Sequence, residues 1–298
     1  MKQTVRKNKS ILWYTLYGFL LTAALMYYRF PSSEIRDYIE AAAARANPSL
    51  LLSVEEVSPS LPPGLEIMKI KLSLRERPKD VLLSSAKLSI RPELLSLLQG
   101  DPKYAFDARA YKGKAKGTLH FRENNPGTPF TTQIQLKDID IGESAYLTSL
   151  IGHGIAGILG GTLTYEGRSP LLIDGTGEAD LRITDGRVAL SEPILSFETL
   201  TFTEFSLKIV LKNRRLDLAG VELKGREVQG TLSGTIGLKE QISKSTLNLR
   251  GEIEPLAGIL KSIGGDKNTL TFLRRYLKKG SRSFTIKGTF GKPKFRLT

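Results

Sequence analysis

The sequence predicts a mainly β protein, in which an N-terminal transmembrane helix is followed by an elongated antiparallel β-sheet carrying a few short capping helices. Three observations predict it. Residues 11–28, ILWYTLYGFLLTAALMYY, hold no charge at all. From about Leu51 almost to the last residue, apolar and polar side chains alternate with period two, the mark of strands buried on one side. Glycine and proline punctuate those runs at short intervals.

The uncharged stretch reads as a membrane anchor. Eighteen helical residues rise about 27 Å, close to the roughly 30 Å hydrocarbon core of a bilayer. Ile11, Leu12, Leu16, Phe19, Leu20, Leu21 and Leu25 supply its apolar surface. Trp13, Tyr14 and Tyr17 near one end and Tyr27 and Tyr28 at the other suit the headgroup level. A cleaved signal peptide calls for a shorter apolar core and a small-residue exit, whereas this span ends in Met26, Tyr27, Tyr28 and Arg29. Lys2, Arg6, Lys7 and Lys9 precede it, so the positive-inside bias leaves residues 1–10 as a cytoplasmic basic tip, 11–28 as the anchor, and the rest exported. The expected location is therefore a cell inner membrane, crossed once, with the bulk of the chain periplasmic.

The chain has 298 residues, enough after the anchor for one large β domain. It has no cysteine, which a domain of this size tolerates in an oxidising compartment because its core is large enough to stand without disulfides. The net charge is +14, and the four cations of the N-terminal tip leave an excess of ten on the exported part. Beyond a membrane that excess points to anionic lipid headgroups, cell-wall polymers or acidic proteins, and not to nucleic acid.

Residues 29–48 read as an amphipathic helix and linker. Pro31-Ser32-Ser33-Glu34 offers a helix start with Ser32 or Ser33 as N-cap, Ile35, Tyr38, Ile39 and Ala42 share a face, and Asn47-Pro48 stops it. Residues 51–298 then form the β-rich domain. Its alternation is plainest in the second half, where Leu181 and Ile183, then Phe205, Leu207, Ile209 and Leu211, then Leu216 and Leu218, Leu247 and Leu249, and Phe284 and Ile286 fall on one side of successive strands. Turns are expected at Asn213, Gly225-Arg226 and Lys292-Pro293.

A strand followed by a short leucine-rich helix closed by glycine recurs at 87–100, 136–152 and 247–265, ending at Gly100, Gly152 and Gly264. After the first two comes Gly117-Thr118-Leu119 or Gly161-Thr162-Leu163. After the third come a further helix, Asp266 to Lys279, and then Gly288-Thr289-Phe290. Such repetition describes a sheet extended by similar units, each covered or capped by a small helix.

Apparent chemical motifs dissolve in context. Gly152-His153-Gly154-Ile155-Ala156-Gly157 has the letters of a dinucleotide fingerprint, with Asp174 near the place of a ribose-binding acid, yet a helix precedes it and a strand follows, the reverse of what the motif needs. His120 and His153 are the only histidines, neither stands at metal-ligand spacing, and no nucleophile elbow accompanies them. The sequence therefore assigns no catalytic, metal or cofactor residue and reads as non-enzymatic. Arg274, Arg275, Lys278 and Lys279, with Arg282 just beyond, form the densest basic run of the exported part. They sit at a helix C-terminus, where they complement the dipole and are placed for an anionic contact.

The basic tip, the single anchor, the helix opening Pro-Ser-Ser-Glu, the phrase Gly64-Leu65-Glu66-Ile67 and the closing Gly288-Thr289-Phe290-Gly291-Lys292-Pro293-Lys294-Phe295 together resemble the AsmA-like superfamily. Within it the length and layout are most similar to the type II secretion system protein N (GspN) family. The resemblance covers nearly the whole chain. It implies a Gram-negative inner-membrane protein whose periplasmic sheet is curled into a groove, serving as an accessory or assembly component of type II protein secretion, with other secretion-system subunits as partners. The alternative it implies is a lipid-binding or lipid-transfer module carrying phospholipid in an apolar β-groove, lined by the twelve second-half residues from Leu181 to Ile286 named above. A chain this short does not match the reach of the large lipid-bridging relatives.

Overall fold

The alternating runs become strands that pair in chain order, each with the next. The computed structural model describes residues 4–122, 129–151, 154–168, 172–194, 197–256 and 280–297. Two helices come first, α1 (Thr4–Tyr28) and α2 (Ser32–Ala46). The strands of the first half are β1 (Leu50–Ser53), β2 (Glu56–Ser60), β3 (Gly64–Leu74), β4 (Arg77–Pro92), β5 (Lys103–Ala110), β6 (Gly113–Phe121) and β7 (Pro129–Asp140). The second half adds β8 (Ile155–Arg168), β9 (Thr176–Ile194), β10 (Phe197–Lys212), β11 (Arg215–Lys224), β12 (Val228–Gly237), β13 (Thr246–Pro255), β14 (Arg282–Thr289) and β15 (Lys292–Leu297). Between β4 and β5 lies the short helix α3 (Leu94–Leu98), and between β7 and β8 the helix α4 (Ala145–Ile151).

All of these strands belong to one 15-stranded antiparallel sheet that does not close on itself. β3 is flanked on its outer side by β1 over one half of its length and by β2 over the other, and from β3 onward each strand neighbours its successor to β15. At about 4.8 Å per strand the sheet runs some 60 Å from end to end. Its accessible surface, 20673 Å², far exceeds the roughly 12,500 Å² of a compact monomer of the same mass. Among the described residues the strands form a single layer of sheet, and the few fully buried apolar side chains there fall in patches.

Two tight turns show how the hairpins close. Tyr111 and Lys112 join β5 to β6, and Asn213 and Arg214 join β10 to β11, with φ of 49°, 62°, 51° and 60°. Positive φ at both central residues is the type I′ signature, whose twist matches that of the flanking strands. The turn expected at Gly225-Arg226 is also present. The one expected at Lys292-Pro293 falls at Phe290-Gly291, so Pro293 enters the edge strand β15 opposite Gly288, a position where its missing N–H is tolerated. Register shifts interrupt the ladder between Leu136 and Ile139, Ala156 and Ile158, and Lys208 and Ile209, and such bulges bend and twist a sheet locally.

The helices differ in part from expectation. α2 begins with Pro31 at the N-cap and no side-chain cap, since Ser33 Oγ donates instead to Glu34. It ends at Asn47 as its sequence requires. Phe30, Ile35 and Ile39 press onto the first buried cluster, Val54, Val57, Ile67 and Ile70, and the Val54 N–H donates to Glu40 Oε1 at 2.8 Å. α4 lies against β4. α3, expected to cover the sheet with its leucines, turns them outward instead. The strand of the third repeat is β13, while its helix and the helix at 266–279 lie outside the described residues.

The expected anchor residues lie in α1, which starts earlier than Ile11 and runs through much of the basic tip. Its Ile11, Trp13, Leu16, Leu20, Leu21, Leu25, Tyr27 and Tyr28 are exposed. Leu12 and Phe19 lie in the helix, their side chains outside the described set. Among the described residues no helix is long and apolar enough to cross a membrane. Trp13, four tyrosines and two threonines dilute the apolarity of residues 11–28.

Candidate functional site

The two faces of the sheet are chemically distinct, and strand register shows how completely. One row of cross-strand partners starts at Val57 and passes through Ile67, Leu88, Ala108, Ala115, Leu136 and Gly161. It continues through Leu181, Leu207, Val221, Leu232 and Gly251 to Phe284. The row two residues away runs from Pro59 through Leu65, Ile90, Phe106, Gly117 and Ile134, then Leu163, Ala179, Ile209, Leu218 and Gly234, and ends in Leu249, Ile286 and Phe295. Neither row contains a polar side chain. Period-two alternation puts both on the same face, so an apolar band extends from β2 to the far strands.

All twelve residues singled out for an apolar groove fall on this face. Leu181, Leu207 and Phe284 stand in the first row, and Ile209, Leu218, Leu249 and Ile286 in the second. Ile183 pairs with Phe205 one step along, and Leu211 with Leu216 at the other side. Leu247 faces Ile236. Seven of them meet in one cluster, in which Leu218, Val221 and Leu249 are buried and Phe205, Leu207, Ile209, Leu216, Leu232, Ile236 and Ile286 are half-buried around them. The sequence reading missed the first half of the band, Ile67, Leu88, Phe106, Ile134 and Leu163. The signal lay in the Gly-Thr-Leu phrases, which put a small and a large apolar residue at i and i+2 of one face.

Glycines in the band serve the rings beside them. The Phe284 ring lies over Gly251 across the β13–β14 pair, and a Cβ there would also stand 2.5 Å from the Thr231 carbonyl oxygen. Along the end of the sheet holding the β4–β5 connection, Tyr104, Phe121, Phe130 and Tyr165 form a ladder, with ring centroids 6.1, 6.2 and 5.5 Å apart. The Tyr165 hydroxyl donates to the Leu172 carbonyl at 2.7 Å, and burial, helped by the charge of Asp174, raises its pKa.

The opposite face is polar and laced with cross-strand ion pairs. Lys87 meets Glu66 at 2.8 Å, Lys116 meets Asp107 at 3.0 Å, and Lys224 meets Glu204 at 3.2 Å. Hydrogen bonding to Glu204 raises the pKa of Lys224. A shallow cavity of about 660 Å³ on this side is lined by Arg91, Asp107, Lys116, Gln133, Gln135 and Thr162 among others. Near it His120 Nε2 and Lys103 both contact Asp101, Lys103 at 3.3 Å, and the histidine's hydrogen bond holds the Asp101 carboxyl below the usual range.

The remaining candidates are placed as follows. Asp174 pairs with Arg214; Gly152 and His153 of the dinucleotide phrase lie outside the described residues, α4 ends before them at Ile151, and β8 already begins at Ile155 within the phrase, so helix precedes strand, the wrong order of elements. Among the described residues no group of three or more His, Asp or Glu is arranged to hold a metal. Arg274, Arg275, Lys278 and Lys279 lie outside the described residues. Arg282 opens β14, opposite Ile253.

Fold and site define a class: an unclosed, single-layer antiparallel sheet with one continuous apolar face. No protein-family model, curated protein or solved structure matches this chain.

Proposed function

We propose that this is a non-enzymatic, membrane-anchored periplasmic protein of AsmA-like type, whose curled sheet holds lipid acyl chains along its apolar face. The observation that carries the reading is the pair of wholly apolar rows spanning the sheet, covered by α2 at their start and by no second sheet among the described residues. Exposed apolar surface on a soluble monomer is ordinarily limited to patches of a few hundred Å². A band of this length needs an apolar occupant, and an acyl chain, unbranched and indifferent to register, fits a strip of leucine, isoleucine and glycine. Away from the helices, side chains on the apolar face are mostly half-buried although no second layer covers them among the described residues, while those opposite are mostly exposed, which supports a sheet curled with its apolar side inward. The reading of α1 as the single inner-membrane anchor rests on the sequence, on the uncharged stretch 11–28 with its leucines and flanking aromatics.

The test uses adjacent residues on opposite faces. A photo-crosslinking side chain at Leu207 or Ile209 of the full-length protein in bacterial membranes is expected to capture phospholipid, and one at Lys208 is not. Absence of lipid adducts at both apolar positions sinks the reading.

The free edge strand favours a second reading, that of an accessory component of type II secretion. β15 has no neighbour on its outer side among the described residues, and Lys292, Lys294 and Arg296 are exposed along it. An unpaired edge is a template for another chain. Crosslinks from β15 to secretion subunits, without lipid on the apolar face, would favour this reading over the first.

A further inference from the structure

Helix α3 presents its leucines to solvent. Leu94, Leu95, Leu97 and Leu98 are 56, 75, 40 and 85% exposed. The helix is nonetheless firmly held. Ser96, 6% exposed, is its one buried residue; its Oγ donates to the Glu93 carbonyl at 2.7 Å and accepts the Lys103 N–H at 3.0 Å. The Asp101 N–H donates to the Ser96 carbonyl at 3.0 Å, closing the loop behind it. One buried hydroxyl thus fixes which way the helix faces and turns four leucines away from the sheet. Leu61, 82% exposed, projects from the β2–β3 turn at the same end of the neighbouring strands.

The direction of α2 shows what that end faces. Its C-terminus is tied to the opposite end of the sheet, where Leu50 N–H donates to Asn47 and the Arg75 N–H of the β3–β4 turn donates to Ser49. Glu40 reaches Val54, halfway along β3, where the Glu55 N–H meets Met68. Ser32 lies eight residues before Glu40, about 12 Å further along the helix axis. That carries the α1–α2 junction toward the start of β3 and the end of β4, where Phe30 and Ile35 join the cluster that includes Leu65 and Ile90. The junction with α1 and the leucines of α3 therefore share one end of the sheet.

We propose that α3 and Leu61 form a second membrane contact, a leucine tip that enters the surface of the same phospholipid bilayer as α1. The proposal rests on the anchor reading of α1. Such a tip seats its apolar side chains about 5–10 Å into the boundary between headgroups and acyl chains. With α1 as one point of attachment and α3 as another, the sheet is held at a fixed tilt. The aromatic ladder from Tyr104 to Tyr165, which begins beside α3, is then brought toward lipid at the mouth of the apolar band.

The chain has no native cysteine, so single cysteines can be labelled in the full-length protein. We would reconstitute Leu98→Cys, Leu20→Cys and Arg226→Cys, each carrying an environment-sensitive fluorophore, into phosphatidylethanolamine and phosphatidylglycerol vesicles containing nitroxide-labelled lipid. Arg226 is exposed in the β11–β12 turn, at the opposite end of the sheet. The expected result is quenching of the Leu98 label by about twofold or more, as for a residue at the interface, with the Arg226 label unaffected. A Leu98 label that stays bright beside a quenched Leu20 label overturns the tip and leaves the anchor standing. Both labels bright overturns the anchor reading and the tip with it. A Leu98 label that lipid does not quench in vesicles, but that native membranes shield from aqueous iodide, gives this face to a protein partner and also overturns the proposal.

Discussion

Arg214, second residue of the β10–β11 turn, grips both carboxylate oxygens of Asp174 in the β8–β9 connection, its Nη2 3.1 Å from Oδ2. The contact joins connections at one end of the sheet that are not consecutive in the chain. It also gives a purpose to an uncomfortable backbone, since Arg214 adopts φ 60°, where glycine or asparagine is preferred. Lys112 repeats the device at the other end, with φ 62° and its Nζ 2.6 Å from Glu143, and hydrogen bonding to Glu143 raises its pKa.

The Arg214 pair makes stability depend on pH. Hydrogen bonding from Arg214 holds the Asp174 pKa below its ordinary value. A depressed carboxyl pKa contributes stability that is fully present above the unfolded value of about 3.9 and is lost as pH falls through the lower folded value. Asp174→Asn is therefore expected to melt below the wild type at neutral pH, and the gap in Tm should close as pH is taken below about 4. Thermal melts from pH 7 to pH 2 check this. A gap that stays constant would mean that packing, not charge, ties the two connections.

Truncation under α2 should cost far more than truncation on the open band. Ile67 is 3% exposed, and Ile67→Ala is expected to cost about 2–5 kcal/mol through lost transfer energy and a cavity. Leu207, half-buried, should cost about 1 kcal/mol when cut to alanine, a fraction of the full-burial term. Urea titration measures both, and hydrogen exchange should rise in α2 for the first variant alone.

Gly251 is needed for its lack of a side chain. Gly251→Ala pushes a methyl into the Phe284 ring and toward the Thr231 carbonyl, and an overpacked site of this kind costs about 1–3 kcal/mol. Gly154→Ala, where nothing lies within 4 Å, is the matched control and should leave Tm unchanged. Equal effects of the two would show that the ring moves aside freely.

Ser96 should prove costly for so small a side chain. Ser96→Ala leaves the half-buried Lys103 N–H without its acceptor, a loss of about 1 kcal/mol. The local readout is faster hydrogen exchange at Lys103 and Asp101, with the β10–β13 amides unchanged.

The residue order by itself determined the periodicity, and with it the mainly β class, the strands of the second half and the common face of Leu181, Leu207, Leu218 and Ile286. A period of two assigns a side chain to one face whichever strand lies beside it. It also placed the stops at Asn47, Asn213 and Gly225-Arg226, where backbone preference is local. Register was decided only in the tertiary structure, because it depends on turn length and bulges summed across many hairpins. That is why the continuity of the two apolar rows, the shift of the last turn from Pro293 to Phe290-Gly291, and the meeting of Arg214 with Asp174 could not be read beforehand. The facing of α3 was likewise decided by Ser96, whose buried hydroxyl found backbone partners in Glu93 and Lys103 and so turned outward the leucines that local pattern alone would have packed against the sheet.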